Sequence, residues 1–306
     1  MTDSNRMSGV LAPVITPFDA QLKPDHDRFL AHCRWLVSQN AGLAVFGTNS
    51  EANSLSVNEK LALLDTLFDS DIDAAMLMPG TGSCALPEAV RLTRAAVEGG
   101  CGGVLMLPPF YYKGVSDDGL FAFYAELIEQ IADQRLQIYL YHIPPMTQVP
   151  LSLALIDRLV NAYPANIAGI KDSSGDWDNT LALNEAGWPD FRVFCGSESF
   201  LLRNMNNGGA GCISATANVN PGPIHELFTN YDSGQAEEQQ QRLDEIRAIF
   251  QSRPMIAALK AANGLARHDP DWFRVRPPLT ALPEHMVEDL RKSLEAAGFS
   301  MPGIGD

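Results

Sequence analysis

The sequence predicts an α/β fold of the (β/α)₈ TIM-barrel class with a C-terminal helical extension. Short apolar runs bounded by Gly, Pro or Asn recur eight times, each followed by a longer segment with helical spacing. Runs such as GGVLMLP and NIAGIK are apolar almost throughout, as in strands covered on both faces of a parallel sheet. No run leads into GxGxxG or a P-loop motif, which argues against a nucleotide fold, and eight alternations favour a closed barrel over an open doubly wound sheet.

The strands are expected over residues 10–16, 42–48, 74–79, 103–108, 137–143, 167–171, 192–196 and 210–214. Between them, helices announce themselves by their caps. Ser56 with Glu59 three positions on has the pattern of a capping box, and Ser116 and Ser152 precede further apolar-periodic stretches. After the eighth strand, residues 223–230, 236–251, 254–266 and 284–297 are all helical in character. The chain of 306 residues exceeds the roughly 250 of a single barrel. Its organisation is therefore read as a barrel over 1–225 and a helical extension over 226–306 packed on it.

Composition excludes some functions. A formal net charge of −15 and a pI near 4.7 repel nucleic acid and anionic lipid, so neither is expected as a partner. The five cysteines are scattered, with no CxxC pair and no histidine cluster at ligand spacing, so reduced thiols and no metal site are expected. The N-terminus MTDSNRMSG has no apolar core of a signal peptide, and no run reaches the roughly 18 to 20 residues of a membrane span. A cytoplasmic location follows as an expectation.

Barrel enzymes carry their chemistry at the C-terminal ends of the strands. Lys171 closes the run NIAGIK, whereas Lys23, Lys60, Lys113, Lys260 and Lys292 fall in turns, loops or helices where a solvated ammonium is expected. An amine drawn out of water at an apolar mouth is suited to imine formation with a ketone. The structural alternative is a lysine paired with Asp172 or another carboxylate. One strand earlier, YLYHIP ends in Tyr141, His142, Ile143 and Pro144, and Tyr141 can share that mouth as a proton relay, unless it is simply core. His142, its neighbour, faces the other way in a regular strand and reads as packing. In the turn GTNSE, residues 47–51 with Thr48, Asn49 and Ser50 at its centre, the backbone N–H groups and the Thr48 hydroxyl can hold a carboxylate. Tyr111 and Tyr112 sit on the loop after the fourth strand and read equally as interface or packing residues. The small residues of GGAGCISATANV permit close approach of either a ligand or another strand.

Taken in order, APVITPF, GTNSE, PPFYYK, YHIP, GIKDSSGD, CGSES, GGAGCISATANV and VRPPL cover nearly the whole chain. They resemble the dihydrodipicolinate synthase and N-acetylneuraminate lyase group of class I pyruvate aldolases. The resemblance implies a homo-oligomer, dimer or tetramer, acting on a keto acid with neither metal nor organic cofactor. Matched residue by residue, it implies Lys171 as the Schiff-base lysine, Tyr141 as the proton-relaying tyrosine and Thr48 as the first hydroxyl of the turn holding the pyruvate carboxylate. It implies Tyr111, with Tyr112 as rival, as the tyrosine lent across a dimer, and Gly211 and Ile213 as the wall beside the imine.

The departures bear on substrate. Asn49 and Ser50 replace the second hydroxyl and the glycine of the group's GTTGE turn. Met146 stands where its synthases carry an arginine for the carboxylate of aspartate semialdehyde. The expected activity is a lyase releasing pyruvate from a 2-keto-3-deoxy sugar acid or related hydroxy-keto acid. The alternatives are the synthase itself, a dehydratase using the same imine, and a barrel that only binds a keto acid. His142, Gly175, Ser197 and Ser199 are further candidate contacts for the aldehyde half.

Overall fold

The computed structural model describes residues 6–305; residues 1–5 of the N-terminal segment that figured in the location argument, and residue 306, lie outside them. The chain divides into two compact units. The first comprises Asp73–Ile213 with the segment ending at Gly9, and the second comprises Val10–Ile72 and Ser214–Asp306.

In the first unit five parallel strands, β3 (Val104–Met106), β4 (Ile138–His142), β5 (Ile167–Asp172), β6 (Arg192–Cys195) and β7 (Gly211–Ile213), pair in sequence order. Side chains alternate across a strand, so in-register partners share a face. One face presents Val104, Met106, Ile138, Leu140, Ile170 and Val193 to the helices Leu86–Glu98, Asp117–Ile131 and Leu153–Ala162, all within one buried apolar cluster. Full burial of each such side chain is worth roughly 1.5–3 kcal/mol. Helix starts follow the expected caps: Ser116 Oγ accepts from the Gly119 N–H at 3.2 Å and Ser152 Oγ from the Leu155 N–H at 3.0 Å.

The expected strand at 74–79 is a correction. Asp73 caps the Ala75 N–H at 2.9 Å, and the local bond turns Ala74–Met76 into a 3₁₀ turn. Extended pairing is reduced to single bridge positions at Leu77 and Gly80, the latter parallel to Leu105, whose N–H donates to Pro79 O at 2.9 Å.

In the second unit β1 (Gly9–Ala12), which begins in the first, lies parallel to β2 (Gly42–Leu43). Regular pairing of β2 ends well short of residue 48 because Phe46 turns to φ 62°. Ser56 and Glu59 form the reciprocal capping box at the head of Val57–Phe68. The helices Pro221–Thr229, Ala236–Gln251, Met255–Arg267 and Glu284–Ala296 belong to this unit, in the region read as helical. Its core is organised around Asn218 of the ATANV motif. The Asn218 amide oxygen accepts from the Ile15 N–H at 2.9 Å and from His32 Nε2 at 3.3 Å, and its nitrogen donates to Pro13 O and Ala215 O. His32 is fully buried, stacked on Trp35 and edge-on to Trp272. Among the described residues no helix is long and apolar enough to cross a membrane.

Candidate active site

Pairing register builds the site in the first unit. Tyr141 is the Cα partner of Lys171, Lys171 of Phe194, and Phe194 of Gly211, so four residues stand in one row across β4, β5, β6 and β7. They occupy the face opposite the helix-packed one. Lys171 is only 2% exposed; its Nζ donates to the Tyr141 hydroxyl at 3.2 Å and lies 4.3 Å from the centroid of that ring. One layer earlier on the same face, Tyr139 packs edge-on against Phe194 and its hydroxyl accepts from the Met7 N–H at 2.6 Å. Burial pushes the Tyr139 phenol up to about 12. Tyr139 and Phe194 form an aromatic floor that the sequence reading missed, although both lie on strands it located.

The pairing of Lys171 with Asp172 fails on geometry. Asp172, next in the strand, turns to the helix side, where its carboxylate accepts from the Ser174 N–H, from Asn179 Nδ2 at 3.0 Å and from Thr180 Oγ1 at 2.6 Å. That carboxylate is spent on fixing the strand end to the helix Trp177–Glu185. His142 is likewise on the helix side and buried. Its Nδ1 accepts from the Leu151 N–H at 3.0 Å, and burial lowers its pKa against the opposing charge of Asp172. A neutral ring with its proton on Nε2 fits these contacts.

Gly211 closes the row. It sits at φ 129°, and a Cβ there would stand 1.9 Å from Gly9 O, so only glycine allows this approach of strands. Ile213, two residues on and therefore on the same face, is fully buried. Tyr111 and Tyr112 are 74% and 72% exposed on the loop after β3, edge to face with each other. Met146 is 64% exposed on the short helix Pro144–Thr147. Among the remaining candidates, Ser197 caps the Ser199 N–H at 3.2 Å, and Gly175 takes φ 78° in the loop after β5.

Thr48, Asn49 and Ser50 form a 3₁₀ turn in the second unit. Ser50 is turned inward: its hydroxyl accepts from the Gly47 N–H at 3.0 Å, and its carbonyl accepts from Thr16 Oγ1 at 2.7 Å. Glu51 follows in the left-handed region at φ 56° and is buried. Its carboxylate pairs with Lys260 Nζ and accepts from the Arg276 N–H at 2.8 Å. Lys60 and Lys260, expected to be solvated, are therefore corrected: both are buried, Lys260 completely, on the apolar helix Met255–Arg267. A lone charge in MIAALKAANGLA was the available signal, but its partner lies 209 residues away.

A family model described as the dihydrodipicolinate synthetase family matches residues 6–297. The 4-hydroxy-tetrahydrodipicolinate synthase of Rhizobium meliloti (strain 1021) is 31% identical over 299 residues, covering 95% of this chain and 98% of the relative. Among solved structures, dihydrodipicolinate synthase from Agrobacterium tumefaciens str. C58 superposes with a TM-score of 0.87 at 28% identity, covering 94% of this chain and 99% of that one. YagE, a prophage protein of the dihydrodipicolinic acid synthase family from E. coli K12 solved in complex with pyruvate, gives a TM-score of 0.86 at 25% identity, covering 95% and 99%.

Proposed function

This chain belongs to the dihydrodipicolinate synthetase family, whose members are carbon–carbon lyases of TIM-barrel fold, and from that premise we propose that it releases pyruvate from a 2-keto-3-deoxy sugar acid or related hydroxy-keto acid. The observation that carries this reading is the buried Lys171 amine within hydrogen-bonding distance of the Tyr141 hydroxyl on the neighbouring strand. In the proposed sequence the neutral amine attacks the substrate C2 carbonyl, and Tyr141 moves protons as the carbinolamine loses water to give an imine. The C3–C4 bond then breaks as the C4 hydroxyl loses its proton, releasing an aldehyde and leaving an enamine. A proton taken up at C3 gives the pyruvate imine, and water returns pyruvate and the free lysine. The protonated imine is the electron sink, so no metal or organic cofactor is invoked.

In the same reading Thr48 and the Asn49 and Ser50 backbone hold the substrate carboxylate, Gly211 and Ile213 wall the imine, and Tyr111 or Tyr112 serves a neighbouring copy in a dimer or tetramer. In this proposal the parallel strands close as a barrel carrying residues 226–306 as an appendix, in a cytoplasmic enzyme.

A second reading, the synthase, is favoured by the name of the Rhizobium meliloti relative. Met146 weighs against it, since a thioether supplies no donor to the carboxylate of aspartate semialdehyde. The deciding experiment compares kcat/KM for pyruvate release from 2-keto-3-deoxygluconate with that for condensation of pyruvate and aspartate semialdehyde. A larger value for release supports the lyase; a larger value for condensation overturns it.

A further inference from the structure

The motif VRPPL and the helix residue Lys260 have no part in the chemistry above, yet they converge on the turn that precedes them by more than 200 residues. Glu51 ends the turn Thr48–Ser50 and starts the turn Ala52–Ser54 in a left-handed conformation that a side-chain-bearing residue rarely adopts. Its carboxylate is fixed at both oxygens, one by Lys260 Nζ and the other by the Arg276 N–H. Lys260 Nζ in turn donates to Arg274 O at 2.7 Å and lies 4.3 Å from the Phe18 ring centroid. The Arg276 guanidinium stands 4.7 Å from the same ring and donates to Ser54 O at 2.7 Å and to Leu22 O. The C-terminal residues Lys260 and Arg276 thus grip the loop at Glu51 and at Ser54 beyond it.

A buried ion pair is a poor source of stability, because an apolar pair of similar volume does as well without the desolvation cost. Its distinctive property is that it tolerates only one arrangement of its partners. Burial disfavours the Lys260 ammonium and the Glu51 carboxylate opposes that effect, so the pair holds together only while the loop keeps Glu51 in place. We infer that Glu51, Lys260 and Arg276 are positioning residues that set the geometry of the carboxylate-binding turn Thr48–Ser50. The inference rests on the reading that this turn takes the carboxylate of the keto acid.

The test uses full-length Glu51→Gln, which keeps the shape of the side chain, and Lys260→Met, each assayed at a temperature where thermal unfolding shows it folded. Borohydride trapping is followed against concentration with two ketones, pyruvate and its neutral ester methyl pyruvate. The expected result is a half-saturating pyruvate concentration raised about tenfold, with the limiting trapping rate retained and methyl pyruvate unaffected. A general structural defect would weaken both ketones together. Equal losses for the two ketones, or no change for either, overturn the inference while leaving the imine intact. A wild-type protein that forms no adduct overturns the imine reading and this inference with it.

Discussion

Tyr141 and Lys171 are in-register partners on adjacent parallel strands, and the lysine amine donates to the tyrosine hydroxyl at 3.2 Å. No turn or loop intervenes in this relationship. A role in relaying protons demands a group held at this distance from the reacting nitrogen. Tyr141→Phe is therefore expected to lower kcat by about 10² to 10⁴, the range of general acid–base assistance. Lys171 should remain trappable by pyruvate and borohydride, only more slowly. Steady-state kinetics beside adduct mass checks this; an unchanged kcat would return Tyr141 to the core.

Tyr111 and Tyr112 are too exposed to be explained as packing within one chain. If Tyr111 serves a neighbouring copy, Tyr111→Phe and Lys171→Ala are each defective alone but complement when mixed. After random re-pairing, about a quarter of wild-type activity is expected, since one site in each mixed dimer is whole. The same mixture with Tyr112→Phe separates the two tyrosines. Absence of recovery with either variant would remove the cross-copy role.

Met146→Arg places a guanidinium where the exposed thioether now stands. A bidentate contact to a carboxylate adds about 1.5–3 kcal/mol. The ratio of kcat/KM for aspartate semialdehyde over a neutral aldehyde is expected to rise by at least about tenfold. An unaltered ratio would show that the residue does not face the aldehyde half.

His32 is held neutral, with burial and then the charge of Arg267 pushing its pKa to about 3, against the weaker pull of its bond to Asn218. Its folded value lies below the unfolded 6.5, so on acidification the unfolded chain takes the proton first. Stability therefore rises with pH between about 3 and 6.5, and each unit below 6.5 removes about 1.4 kcal/mol through this residue. Thermal unfolding of the wild type should fall more steeply from pH 6.5 to 5 than that of His32→Asn. Parallel slopes would contradict this assignment.

What the sequence disclosed, and what it withheld, follows physical lines. The strands carrying Tyr141, Lys171 and Gly211 were legible because burial on both faces leaves apolar runs that end abruptly in polar residues. The Ser56, Ser116 and Ser152 caps were legible because capping is local. The strand expected at 74–79 failed because an equally local bond from Asp73 diverts the backbone into a turn that apolar composition does not reveal. Lys260 was misread because its burial depends on Glu51 and Arg274, which no spacing rule connects to it. Phe194 looked like any strand phenylalanine until the register with Lys171 gave it a place.

The central claim, an imine on Lys171, is tested most directly by intact mass after incubation with pyruvate and borohydride, comparing wild type with Lys171→Ala. The account expects a pyruvate-sized adduct on the wild type and none on the variant. An adduct on both would place the nucleophile elsewhere, and a folded wild type that gains no mass would contradict the lysine-imine mechanism altogether.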